Sequence, residues 1–161
     1  MVTRQWMLAA AGRGVAVGCC VSMLAVPLAR ASGPDDSALD AATIVQLEQR
    51  ADHAQPREQC YWYSRLLQAL TETAGREMSA GQDAPLATTL AQIDTVMAKI
   101  QKISARDAKK LKDAEKMMER TEWRLTDMAR VASHDEQAGL KSTLERLNQL
   151  HSKVLALVFT Q

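Results

Sequence analysis

The chain has 161 residues, 47% of them apolar and only 4% aromatic, and its 20 basic and 19 acidic residues leave a formal net charge of +1. A nucleic-acid binder needs a strongly basic face, and this balance does not supply one. The length fits one domain of ordinary size with a moderate core.

The first 31 residues read as a cleavable signal peptide. Arg4 and Arg13 precede an apolar run over 15–26, Pro27 breaks it, and Ala29-Arg30-Ala31 offers small residues for cleavage after Ala31. The run is too short to span a bilayer, which takes about 20 apolar residues. Retention as an N-terminal anchor, and lipidation at Cys19, are the alternatives. Arg4 and Arg13 are not adjacent, so no twin-arginine signal is present. The expected location is periplasmic or secreted, tethered to the membrane if the N-terminal segment is retained. Cleavage removes three arginines, which takes the net charge from +1 to −2, and removes Cys19 and Cys20, which leaves Cys60 alone. A single cysteine makes no internal disulfide, so stability must come from helix packing or from association.

Residues 32–37, with Gly33, Pro34 and two aspartates, form a flexible linker, and one helical domain is expected over 38–161. A first helix with a thin apolar stripe runs over about 39–54. Pro56 interrupts it, because proline lacks the amide donor and suits a first turn. A second helix over 56–79 carries Tyr61, Trp62, Tyr63, Leu66, Leu67 and Leu70 at three- and four-residue spacing. A single kinked helix over 39–79 is the alternative. Gly81 and Pro85 mark the next turn.

No glycine or proline interrupts 86–133, which predicts one long helix of about 45 residues and roughly 65 Å, unless a break falls at Ser104-Ala105. Within it, 106–120 holds ten charged residues of both signs, several at pairing distance, and reads as a solvated face. Ser133-His134-Asp135-Glu136 has the form of a capping box that opens a last helix with Leu140, Leu144, Leu147, Leu150 and Val154. No strand pattern is present. The expected fold is all-α: an antiparallel helical hairpin, or an irregular three- to four-helix bundle with one long central helix.

Chemistry leaves little trace. His53, His134 and His151 share no metal-ligand spacing, and HExxH, CxxCH, GxSxG and phosphate-loop motifs are missing. Non-covalent haem would need His151 facing Met97, Met117, Met118 or Met128, and methionines at helical spacing more often fill a core. No cofactor, no metal and no enzymatic activity are expected. Cys60, Tyr61, Trp62 and Tyr63 cover more than half of a helix circumference, so they cannot all face one core. Either the first helix folds back over them, or they form a contact patch, with Cys60 available for a disulfide between copies. Trp123 marks where another helix crosses. The expected function is that of an exported contact, adaptor or chaperone-like protein, with a second copy or an envelope protein as partner. The alternative is a periplasmic bundle that binds a small molecule, a metal or haem. In general character the chain resembles small exported bacterial helical proteins, without a motif to carry over.

Overall fold

A computed structural model of the protein describes residues 41–103 and 109–159, all within the compact unit Ser37–Gln161. The expected signal peptide and linker and the alternative break at Ser104-Ala105 fall outside the described residues. Five helices follow in order: α1 (Ala41–His53), α2 (Pro56–Ser79), α3 (Asp83–Lys102), α4 (Leu111–Val131) and α5 (His134–Phe159). The described residues include no strand. No described helix is long and apolar enough to cross a membrane.

The local signals set most boundaries. Gln55 is extended (φ −60°, ψ 145°), as a residue before proline prefers, and Pro56 opens α2, so α1 and α2 are separate helices rather than one kinked rod. At the far end of α2, Gly81 sits at φ 64°. Its amide donates to Met78 O at 3.0 Å and the Gln82 amide donates to Glu77 O at 2.9 Å. This crossed pair of bonds needs a left-handed residue, which glycine adopts without steric cost. Before α5, the Ser133 amide and hydroxyl donate to Glu136 Oε2 at 2.8 and 2.7 Å, and the Glu136 amide faces Ser133 Oγ at 3.4 Å. Those bonds hold the Glu136 carboxyl below its ordinary value.

The expected long helix over 86–133 does not exist. α3 ends at Lys102, Ile103 is extended (ψ 128°), and Lys110 turns into the left-handed region (φ 58°) ahead of α4. The Lys109 amide donates to Arg57 O at 2.9 Å, which ties the start of α4 to the start of α2. The reason is packing. α3 carries Leu86, Ile93, Met97 and Ile100 and α4 carries Leu111, Met118, Leu125 and Met128, all buried in the same core. A straight rod of roughly 65 Å would strand half of that stripe in water, whereas folding back buries both halves.

Helices α2, α3, α5 and α4 form a ring of four, in that spatial order, and α1 packs on the outside of α2. The long-range partners fix the directions. Tyr63 near Lys99 makes α2 and α3 antiparallel, and Glu115 near His151 does the same for α4 and α5. Glu72 near Arg124, together with Arg57 near Lys109, makes α2 and α4 parallel; Asp94 near Arg146 and Leu90 near Gly139 make α3 and α5 parallel. Consecutive α3 and α4 therefore face each other across the diagonal. The expected three- to four-helix antiparallel packing becomes five helices with two parallel seams. Buried Ser64, Thr71 and Thr121 return their hydroxyl protons to the carbonyls four residues back, at 2.8, 3.0 and 2.8 Å, so the core accepts them without an orphaned donor.

Candidate functional site

The cluster at the start of α2 is where the sequence points. Cys60 is only 1% exposed, and burial pushes its thiol up to about 11. A disulfide between copies at Cys60 would require the bundle to open, which corrects the expectation of an available thiol. Tyr63 is also buried and donates its hydroxyl proton to the Asp52 carboxylate of α1. Lys99 of α3 reaches the same carboxylate at 3.0 Å and Glu48 at 3.4 Å, with its Nζ 5.4 Å from the centre of the Tyr63 ring. Asp52 lies below its ordinary pKa, first through the Tyr63 hydrogen bond and then through Lys99. Tyr63 lies above its own through burial and that same bond, and Lys99 is raised by Asp52. Together these groups are a polar clasp that joins α1, α2 and α3.

The other two aromatics have partners of their own. The Arg50 guanidinium sits 3.9 Å from the centre of the Trp62 ring, and Tyr61 meets Trp62 edge-on at 5.0 Å and 79°. Lys110, at the entry to α4, lies 4.5 Å from the Tyr61 ring centre. Cation–aromatic contacts of this kind contribute about 0.5–1 kcal/mol where solvent reaches them. The thin helix α1, with Ala51 fully buried, folds back over the outer side of the cluster. Cys60, Tyr61, Trp62 and Tyr63 are thus largely engaged within the chain.

Trp123 is different. It is 63% exposed on the outward face of α4, so no described helix crosses it, contrary to the expectation. Exposed Glu119, Arg120 and Asp127 stand three or four residues away on the same face. The parallel α2/α4 seam sets neighbouring Arg124 beside Glu72 and Gly75. That is about ten residues, or ~15 Å of helix, beyond the Tyr61–Tyr63 cluster. The structure therefore does not bring Trp123 and the cluster together.

The donors considered for a ligand are committed elsewhere. Met97 and Met118 are 2% and 0% exposed among the apolar side chains of the core. Exposed His53 points Nδ1 at Gln49 O at 2.7 Å, and His134 is an exposed residue of the first turn of α5. His151 places one ring nitrogen on Glu122 and the other on Glu115. This pairing escaped the sequence reading, although Glu115 and Glu122 stand seven apart and so share a helix face. Among the described residues, no group of three or more His, Cys, Asp or Glu is arranged to hold a metal ion. A groove of about 250 Å³ lies between the first turns of α3 and α5, floored by Leu86, Ala87, Leu90 and Gly139 and rimmed by Asp83, Asp135 and Glu136. It touches none of Met97, Met118 and His151.

Comparison with protein-family models, with curated proteins and with solved structures returns no match to this chain.

Proposed function

We propose that this protein is an exported contact module, a helical adaptor or chaperone-like protein of the cell envelope. The observation that carries this reading is Trp123. A large aromatic held on a rigid helix and ringed by charged side chains has the anatomy of an interaction hot spot. The export pattern of residues 1–31 supports the compartment. The apolar stripes of α3 and α4 are buried within the bundle and leave no unpartnered face for a second copy to cover. A different envelope protein is the partner this leaves in front.

Photo-crosslinking tests the reading. A photoreactive phenylalanine analogue at position 123 in the exported protein should give a discrete adduct in intact cells. The same analogue at exposed position 112 should not. Equal labelling from both positions, or none from position 123, would refute the reading, and an adduct of twice the chain's own mass would identify a second copy as the partner. A second reading, a bundle that binds small molecules, draws on the groove between α3 and α5. Its apolar floor and three rim carboxylates suit a small apolar cation.

A further inference from the structure

His151 lies on the seam between α4 and α5, held between two carboxylates. Its Nδ1 is 2.9 Å from Glu122 Oε2 and its Nε2 is 3.2 Å from Glu115 Oε1. Glu115 and Glu122 are seven residues apart, two turns of α4, so one face of that helix presents both to the same ring. The His151 and Glu115 side chains are 15% and 18% exposed and that of Glu122 is 36%, so solvent is least able to replace the ring at Glu115. A neutral imidazole has one N–H and one lone pair, whereas a carboxylate only accepts. In the neutral ring one of the two carboxylates would therefore face a lone pair. Only the imidazolium satisfies both contacts.

We propose that Glu115, His151 and Glu122 form a proton-operated latch that fastens the C-terminal half of α5 to α4. Protonated, the ring bridges two helical turns with two charge-assisted hydrogen bonds. Deprotonated, it keeps one neutral bond and leaves two carboxylates crowded at a half-buried seam. At the other end of the seam the tie is a side-chain amide, Gln137 Nε2 to Ala129 O at 3.3 Å, which does not titrate. Loss of the proton thus loosens α5 from its C-terminal end, where Val154 is buried and Phe159 is exposed.

The charged groups acting on the ring are Glu122 and Glu115, both from α4. Helix α3, the other neighbour of α5, turns its Asp94 to Arg146 at 3.0 Å. On α5 itself Lys153 is exposed. Burial pulls the His151 pKa down, and the hydrogen bonds and charges of the two glutamates more than reverse it, leaving it above the ordinary histidine value. A group raised on folding contributes stability below its unfolded pKa and loses it as pH rises through the folded one. The latch is therefore closed in mild acid and opens on the alkaline side of the ordinary histidine range.

Imidazole NMR of the purified protein, combined with hydrogen exchange, tests this. His151 should titrate above the ordinary histidine value. Glu115→Gln and Glu122→Gln, both near-isosteric, should each move its midpoint down. Protection of the amides of 152–158, corrected for intrinsic exchange, should fall as pH passes the midpoint. The fall should reach about tenfold for each pH unit that separates the folded and unfolded midpoints. His151→Gln, which has no titrating ring, should remove that pH step. A midpoint at or below the ordinary histidine value, or protection unchanged across it, would overturn the proposal. A merely packed histidine would lose stability on substitution, yet neither glutamate would move its midpoint.

Discussion

Gly75 sits inside α2, where glycine costs a helix about 1 kcal/mol relative to alanine. The cost of filling the position depends on what a methyl group would meet. A Cβ built there lies 2.9 Å from Arg124 Nη2 and 3.4 Å from Arg124 Nε and Cζ. These atoms form the far end of a flexible side chain, 46% exposed, whose Nε stands 3.6 Å from Glu72. Swinging that arginine aside sacrifices an exposed ion pair worth about 0.2–1 kcal/mol. Gly75→Ala should therefore be neutral to stabilising, by up to about 0.8 kcal/mol. For a domain of this size that is a rise of up to about 4 °C in Tm. Urea unfolding should show a higher midpoint with an unchanged slope. In an Arg124→Ala background, with neither obstacle nor bridge present, the same substitution should return the full ~1 kcal/mol. A loss of more than 1 kcal/mol in both backgrounds would refute the reasoning, because it would place the backbone of α4, rather than an arginine tip, against Gly75.

Two further outcomes follow from the cluster around α1. Asp52 is held below its ordinary pKa, so the stability it lends is present above the unfolded value and lost as pH falls through the folded one. Asp52→Asn should cost about 0.2–1 kcal/mol near neutrality, and urea midpoints of the two proteins should converge once Asp52 is protonated. Cys60, with its thiol at about 11 and almost no exposure, should react with a thiol reagent at least ~100-fold more slowly in the native protein than after denaturation. Fast native labelling, or copies linked on a non-reducing gel, would show that the start of α2 is open.

The parts of the fold that local chemistry decides are legible in the sequence. Pro56 opens α2, Gly81 closes it, and Ser133 with Glu136 starts α5, each through bonds among neighbouring residues. The separation of α3 from α4 is of another kind. No glycine or proline marks it, and the sequence offers a break at Ser104-Ala105 only as the alternative to one long helix; α3 ends at Lys102, just ahead of that point. The fold-back follows from two stripes sharing one core, which only the tertiary structure displays. Lys110 adopts its left-handed conformation without a sequence signal. The polar sites divide in the same way. The crowding of Cys60 to Tyr63 leaves two alternatives, a covering helix or a contact patch, and α1 packs over the cluster. The choice of Asp52 and Lys99 as partners of Tyr63, and of Glu115 and Glu122 as partners of His151, joins residues from different helices. Trp123 stands out in the sequence as a large aromatic, but its exposure on α4 is not legible there.

The parallel seams have a kinetic and thermodynamic consequence. α2 with α3, and α4 with α5, are hairpins closed by short turns, so their contacts span little sequence and form early and locally. The seams α2/α4 and α3/α5 join one hairpin to the other, and the chain connects the two through residues 103–110. A covalent tether acts as a concentration: two surfaces joined by few residues of chain meet at about a millimolar effective level. The hairpins therefore associate more readily within one chain than they would as separate molecules at high dilution. Lengthening the tether would weaken the whole bundle without touching one side chain of its core.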